Sequence, residues 1–154
     1  MKLEPLFTVK QNKLYKLADD TPIDSSSLKK IEISWSELEI EEETYNEAFL
    51  AELRDELKRM ELKEEFAILV PKVDKDLSSA ENVETFINAY NHCARRIKDC
   101  VSVAGFELPL LLTKNGFAED SFAQQFMDTL AIKHSQYVYF TSEKNDVPAC
   151  IVKY

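Results

Sequence analysis

Two glutamates fall inside predicted β-strands, where a charged side chain is unusual. Glu107 belongs to the apolar run 103–108, and Glu32 belongs to the run 31–35. An ionised carboxylate in apolar surroundings is costly unless it has a partner. Glu107 therefore has two interpretations: a functional acid or ligand-binding group, or a glutamate that is paired or exposed at an edge. Lys72 is a candidate partner for either glutamate.

Several polar or aromatic residues fall near the carboxyl ends of the predicted strands. Trp35 is the sole tryptophan, and it ends the first strand of the central unit. In open α/β sheets, ligands bind at the carboxyl ends of the strands. We therefore predict a site for a carbohydrate or another small polar ligand, formed by Trp35, Glu37, Lys72, Asp74, Glu107 and Thr141. The alternative is that Trp35 only covers the core.

The histidines and cysteines give little support for metal or nucleophile chemistry. His92 and His134 are the two histidines of the chain, and no His-x-x-x-His or paired-cysteine spacing typical of zinc occurs. Cys93 and Cys100 are seven residues apart on a predicted helix, so their Cα atoms lie about 10 Å apart, too far for a disulfide. Cys150 has no base near it in the sequence, and we interpret it as a small buried residue. We expect no metal and no cofactor.

Length and charge narrow the class of protein. The chain has 154 residues, so we predict one α/β domain over residues 1–154, too short for a closed eight-stranded barrel. Its net charge of −9 argues against nucleic acid and anionic membranes as partners. The two glycines, Gly105 and Gly116, exclude a phosphate-binding loop. The lack of a signal-like or membrane-spanning segment and the odd number of cysteines favour a cytoplasmic protein with reduced thiols.

A strand–helix–strand unit must position these residues. The run 31–35 has a β-type composition, and the run 66–70 is apolar without alternation, as in a strand buried on both faces. Between them, apolar residues recur every three or four positions over 45–60, which predicts an amphipathic helix. The elements predicted after this unit are a helix over 80–99, a strand over 103–108, a helix that begins near Asp120, and strands over 137–141 and 149–154.

The alternation of strands and helices predicts an open, mostly parallel sheet or a partial (β/α) barrel. The opening segment is different, because strand-like runs at 6–9 and 13–17 flank Gln11–Asn12, a pair that suits a tight turn. We therefore predict an N-terminal β-hairpin. We also expect the strand over 149–154 to pair antiparallel with the strand over 137–141.

The order of these segments resembles that of a known enzyme family. The run KIEISWSELEIEEETYNEAFLAEL, at 30–53, resembles the second strand and helix of the family 5-type glycoside hydrolases, the cellulase-like barrels. FAILVPK is similar to their third strand, and HCARRIKDCVSVAGFELP to the helix and fourth strand before their Asn-Glu-Pro motif. FTVKQNKLYKLADDTPI is similar to the segment before their first barrel strand. The resemblance covers most of the chain and implies a shortened barrel-like fold.

The same resemblance implies that the family's catalytic residues are missing. The glutamate of the Asn-Glu-Pro motif is the acid/base, and the alignment places Leu111 there, which has no proton to give. The family's basic residue on the second strand falls at Lys30, and the histidine that ends the third strand falls at Lys72. The nucleophile lies on a seventh strand, which a chain of 154 residues is expected to lack. Glycoside hydrolysis needs two carboxyl groups, so that mechanism is unsupported.

Three functions remain open on the sequence, and whether the chain is an enzyme is undecided. The first is a non-catalytic α/β domain, related to cellulase-like barrels, that acts in ligand binding or in assembly. The second is a small hydrolase that uses Glu107 together with Glu37 or Glu143. The third is a structural interaction module that associates through a sheet edge or an apolar helix face, with a homo-oligomer among its outcomes.

Overall fold

The structure is a computed structural model that describes residues 3–154. Within that range the strands are β1 (Phe7–Lys10), β2 (Lys13–Lys16), β3 (Pro22–Ile23), β4 (Lys29–Ser34), β5 (Glu39–Glu41), β6 (Thr44–Tyr45), β7 (Ala67–Lys72), β8 (Val103–Glu107), β9 (Val138–Thr141) and β10 (Ile151–Lys153). The α-helices are α1 (Trp35–Leu38), α2 (Glu47–Leu62), α3 (Ala80–Arg96), α4 (Leu110–Thr113) and α5 (Phe122–Ala131). None of these helices has the length and apolar composition needed to cross a bilayer.

A five-stranded sheet in the order β10-β9-β8-β7-β4 forms the centre of the fold. All four pairs of neighbouring strands are parallel. Parallel neighbours require crossover connections, and α2, α3 and α5 supply three of them. The sheet is open, with β4 and β10 at its edges, and the described residues form no closed barrel. The predicted α/β class, the mostly parallel sheet and the strand–helix–strand unit are confirmed.

The predicted direction of the last strand is wrong. β10 runs parallel to β9, with Ile151 opposite Tyr139 and Lys153 opposite Thr141. The segment 142–150 carries the chain back to the starting end of β9 before β10 begins. The side-chain amide of Asn12 holds this connection, because it donates to the carbonyl oxygens of Pro148 and Ile151 at 2.7 and 2.8 Å.

The predicted N-terminal hairpin is confirmed. β1 and β2 pair antiparallel around Gln11 and Asn12, whose φ angles are +50° and +66°. Two successive positive φ angles are typical of the hairpin turn that matches strand twist. β3 adds a third antiparallel strand to this small sheet, which we call the hairpin sheet.

Helices cover one face of the central sheet, and we call it the helix-covered face. α3 shows why its sequence folds there: the Ser79 side chain caps its first turn, and its apolar residues recur on one side. Its inner residues pack in a large apolar cluster with side chains of α2, α5 and the sheet. Cys93 and Cys100 are buried in this cluster and unpaired, whereas Cys150 is exposed, so our interpretation of Cys150 as a buried residue is wrong.

No α-helix of residues 3–154 covers the opposite face, and we call it the helix-free face. The hairpin sheet covers part of it through a second, smaller apolar cluster, which contains Phe7, Leu14, Leu28, Ile68, Ala104, Phe140 and Val152. A register shift in β8 lets Ala67 pair with Val103 and Ile68 pair with Gly105. Only glycine fits at position 105, since a Cβ there would lie 1.6 Å from the Val138 carbonyl oxygen. The shift directs Phe106 to the helix-covered face and Glu107 to the helix-free face.

Candidate functional site

Glu107 lies at the carboxyl end of β8 and is held by two side chains. The Tyr154 hydroxyl donates a hydrogen bond of 2.5 Å to Glu107 Oε1, and the Lys30 ammonium lies 3.8 Å from the same oxygen. The Glu107 side chain is 17% exposed. The structure thus shows a paired glutamate, as one of the two interpretations predicted. Its cationic partner is Lys30, and the suggestion of Lys72 as partner is wrong.

Tyr154 is the member of this group that the sequence analysis missed. Burial raises the pKa of the Tyr154 hydroxyl, and the hydrogen bond to the Glu107 carboxylate raises it further. The hydroxyl therefore stays protonated and continues to donate. Its ring stacks on Phe140 at a centroid distance of 5.7 Å, and Lys30 Nζ lies 4.0 Å from the ring centroid. We call these four residues, Lys30, Glu107, Phe140 and Tyr154, the Glu107 cluster.

Glu32 raised the same question as Glu107 but has a simpler answer. It lies on β4, an edge strand of the sheet, and its side chain is exposed. A glutamate that faces water at an edge needs no partner, and charged residues there protect an edge from pairing with other chains. Glu32 therefore gives no indication of a site.

Trp35 covers the core rather than presenting a face to a ligand. β4 ends at Ser34, one residue before the predicted end, and Trp35 opens the short helix α1. The indole is 3% exposed and packs edge-on against Phe86, with ring centroids 5.1 Å apart. Its Nε1 donates to Glu39 Oε1 at 2.8 Å. The structure supports the core-covering alternative, although a small part of the ring reaches the surface.

An open depression lies above the carboxyl ends of β4 and β7, and Trp35 forms part of its floor. The depression has a volume of about 320 Å³. Its lining combines this aromatic ring with carboxylates, an ammonium and polar side chains, from Trp35, Glu39, Glu42, Lys75, Asp76, Glu81, Asn82 and Thr85. We call it the Trp35 depression.

Glu39 and Lys75 organise the floor of the Trp35 depression. Glu39 is 2% exposed, and besides the indole it accepts a hydrogen bond from the Glu43 backbone amide at 3.0 Å. Lys75 Nζ lies 3.6 Å from Glu39 Oε1, donates to the Glu39 carbonyl at 2.8 Å, and sits 5.2 Å from the Trp35 ring centroid. The buried carboxylate is therefore fully engaged. The sequence showed an acidic loop here but carried no signal for the pairing.

Asp74 joins the loops that follow β4 and β7. Its carboxylate accepts hydrogen bonds from the Ser36 amide at 2.9 Å and from the Ser36 hydroxyl at 2.5 Å. Partial burial raises the pKa of Asp74, but these hydrogen bonds outweigh it and hold the pKa below its ordinary value. Glu37, on α1, and Lys72, at the end of β7, are both exposed near this junction.

Thr141 ends β9, and Glu143 lies in the loop that follows it. Thr141 is fully buried, and its hydroxyl accepts a hydrogen bond from the Glu143 amide at 3.0 Å. Hydrogen bonds from the Asn145 amide and the Thr113 hydroxyl lower the pKa of the Glu143 carboxyl. Among residues 3–154, Glu107 has neither Glu37 nor Glu143 as a hydrogen-bond partner.

The predicted site residues are thus divided among three places. Trp35, Glu37, Lys72 and Asp74 surround the carboxyl ends of β4 and β7, whereas Glu107 lies on the helix-free face and Thr141 is buried at the end of β9. Their role in ligand binding stays a prediction. Within residues 3–154, no three His, Cys, Asp or Glu side chains are arranged to hold a metal ion.

Comparison with known proteins relates the chain to others by fold. No family model matches the sequence, and no curated protein matches it. Among solved structures, it is similar to a GH5_18 from Bifidobacterium longum subsp. infantis, with a TM-score of 0.53 and 11% sequence identity. The match covers 73% of this chain and 33% of that chain, so the described protein spans about a third of the matched structure's length. At this identity the similarity shows the fold alone: the fold of this chain is distantly similar to the cellulase-like fold.

Proposed function

We propose that the chain is a non-catalytic α/β domain that binds a small polar ligand, of the carbohydrate class, in the Trp35 depression. The observation that carries the proposal is the position of the depression, above the carboxyl ends of two adjacent parallel strands, where α/β sheets bind their ligands. Its volume of about 320 Å³ lies at the lower end of the usual range for small-molecule sites.

The charges in the depression favour a neutral ligand. Its lining holds four carboxylates, on Glu39, Glu42, Asp76 and Glu81, and one ammonium, on Lys75. An excess of negative charge repels phosphates and carboxylates. Sugar hydroxyls are uncharged, and they can donate to the exposed carboxylates of Glu42 and Glu81 and accept from Lys75. A few convergent polar groups beside an apolar surface are the usual composition of such a site, and the nearly buried Trp35 contributes a small part of that surface.

The engagement of Glu107 and Glu39 by other side chains supports a non-catalytic role. Glycoside hydrolysis needs two carboxyl groups about 5 to 9.5 Å apart, one of which must release a proton to the leaving group. Glu107 is held by Tyr154 and Lys30 on the helix-free face, and Glu39 is held by Trp35 and Lys75. At the aligned acid/base position, Leu111 is a 44% exposed aliphatic residue on α4.

Calorimetric titration with neutral tetrasaccharides of β-linked glucose, xylose and mannose tests the binding proposal. Asn82→Ala changes a partly exposed lining residue, and we expect it to weaken binding about tenfold, the effect of losing well-placed polar contacts. Glu107→Gln lies outside the depression and serves as the matched control, with unchanged affinity. Absence of binding to all three sugars, or equal loss in both variants, would contradict the proposal.

A screen of chromogenic glycosides and esters tests the non-catalytic role separately. We expect no turnover above the uncatalysed rate from the wild-type chain. The hydrolase alternative predicts turnover that disappears in Glu107→Gln and in either Glu37→Gln or Glu143→Gln. Such turnover would reject a non-catalytic domain, and the binding measurement would be unaffected by that result.

A further inference from the structure

A groove opens at the amino ends of β7 and β8, at the other end of the sheet from the Trp35 depression. It has a volume of about 540 Å³ and runs between the hairpin sheet and the residues that precede those strands. Its floor is apolar, formed by Leu6, Phe7, Ala18, Phe66 and Val101. We call it the hairpin groove.

Part of the floor of the hairpin groove is open to solvent, whereas Phe7 is buried. Leu6 is 45% exposed and Val101 is 41% exposed. Leu62, adjacent in sequence to the groove residue Glu61, is 87% exposed. Single exposed apolar residues are common, but a contiguous apolar surface with a polar rim is typical of an interaction site. The hairpin groove combines an apolar floor with polar side chains at its rim, which is the composition of an interaction site.

The rim of the hairpin groove is acidic. Among residues 3–154, Glu61, Glu64 and Glu65 line it, and Lys16 is the one cationic residue of the lining. Glu61 is occupied, because it accepts a hydrogen bond from the Val101 amide at 2.6 Å and pairs with Lys58 at 3.3 Å. Glu64 and Glu65 are exposed, and within residues 3–154 they make no side-chain hydrogen bond or ion pair. Two uncommitted carboxylates thus stand beside an apolar floor.

We propose that the hairpin groove docks a basic amphipathic segment of a partner protein. The segment inserts aliphatic or aromatic side chains against Leu6, Phe66 and Val101. Its lysine or arginine residues then lie near Glu64 and Glu65, which gives charge complementarity and a faster encounter. A second copy of this chain is a poor occupant, since its net charge of −9 would be brought against an acidic rim.

Fluorescence anisotropy with a labelled amphipathic leucine–lysine peptide tests the proposal on the full chain. The double variant Glu64→Lys/Glu65→Lys reverses the free rim charges, and we expect it to weaken binding at least tenfold. The control Glu52→Lys/Glu84→Lys makes the same change in net charge at exposed helix positions outside the groove, and we expect its affinity to stay within twofold. Wild-type affinity falls as salt rises, because exposed charges are screened.

Two further peptides separate docking from general charge attraction. A peptide with serine in place of leucine keeps the charge, and we expect it to bind at least tenfold more weakly because it offers nothing to the apolar floor. A peptide with glutamate in place of lysine is expected not to bind. Circular dichroism melts of both double variants confirm that each is folded before its affinity is compared.

The proposal is overturned by any of four results: the leucine–lysine peptide does not bind, the control variant loses as much affinity as the rim variant, the serine peptide binds equally well, or light scattering shows self-association that the rim variant abolishes. The last result would assign the groove to a second copy of the chain. The residues tested here do not line the Trp35 depression, so failure of this proposal and failure of sugar binding are distinguishable.

Discussion

The two faces of the central sheet are stabilised in different ways. On the helix-covered face, rings of Phe86, Tyr90, Phe106 and Phe126 pack with centroid distances of 4.8 to 6.4 Å. On the helix-free face, a smaller apolar cluster includes Phe7 and Leu14 of the hairpin sheet. Toward the carboxyl ends of the strands, the Glu107 cluster lies on this face and brings a carboxylate, an ammonium and a phenol into contact.

This difference explains how an open sheet of this kind remains stable without closing. In a (β/α) barrel, the face without helices lines the interior and is filled by side chains of the other strands. Here the hairpin sheet supplies Phe7 and Leu14 to that face, and Tyr154 reaches across it to Glu107. Segments from both ends of the described chain therefore fill the space that further strands fill in a barrel.

Removing a ring from each face should give the largest effects and sharpen the comparison. Phe126→Ala removes a fully buried ring from the helix-covered face, and we expect it to lower the free energy of unfolding by about 4 kcal/mol. Phe7→Ala on the helix-free face should cost about half as much, since Phe7 borders the open hairpin groove and its site can fill with water. Urea unfolding measures both. Equal losses would show that the two clusters contribute alike.

Tyr154→Phe tests the polar half of the helix-free face. The change removes the hydroxyl that donates to Glu107 and leaves a mostly buried carboxylate with Lys30 alone, so we expect a loss of about 2 kcal/mol. Tyr15→Phe is the matched control, because the Tyr15 hydroxyl makes no hydrogen bond within residues 3–154, and its expected loss is below about 0.5 kcal/mol. If the two variants unfold at the same urea concentration, the cluster adds no stability.

The same comparison shows what the sequence could predict. The strand–helix–strand unit over 31–72 followed from local periodicity, because burial on one side of a helix or both sides of a strand leaves a repeat in the sequence. Glu107 could be recognised as a carboxylate that needs a partner. Its partner could not, since Tyr154 is distant in sequence and meets Glu107 only through the register shift at Gly105.

The structure differs from the sequence prediction at the end of β4, near Trp35, and in the direction of β10. β4 ends one residue earlier than predicted, and Trp35 opens α1 instead of ending the strand. Trp35 packs in the same apolar cluster as Ile33, two residues earlier, and therefore covers the core. The connection before the parallel strand β10 is held by hydrogen bonds from Asn12 to Pro148 and Ile151. Asn12 is far from both residues in sequence, so no local pattern indicates these contacts.

Asn12→Gly tests how the hairpin sheet holds the edge of the helix-free face. Glycine adopts the positive φ of Asn12 but lacks the amide that binds Pro148 and Ile151, so we expect a loss of about 1 kcal/mol. The Lys153 amide, which donates to the Asn12 carbonyl, should also exchange faster with deuterium. Gln11→Gly is the control, since Gln11 also has a positive φ and is exposed. An equal effect at both positions would indicate a change in the turn alone.

Asp74→Asn should have the smallest effect, at the edge of the sheet where the loops after β4 and β7 meet. The hydrogen bonds from Ser36 hold the pKa of Asp74 below its unfolded value of about 3.9 despite partial burial, so its contribution is present at neutral pH. As pH falls below about 4 and through the folded pKa, the carboxylate gains a proton and the contribution is lost. Because Asp74 is exposed, we expect a difference from wild type of about 0.5 kcal/mol at pH 7.

Urea unfolding of wild type and Asp74→Asn between pH 7 and pH 2.5 measures that difference. The two curves should converge toward the acid end, whereas Asp55→Asn, a change at an exposed aspartate on α2, should follow wild type throughout. Convergence assigns the stabilisation to the charged carboxylate. A constant gap would instead mean that the shape of the side chain, and not its charge, joins the two loops beside the Trp35 depression.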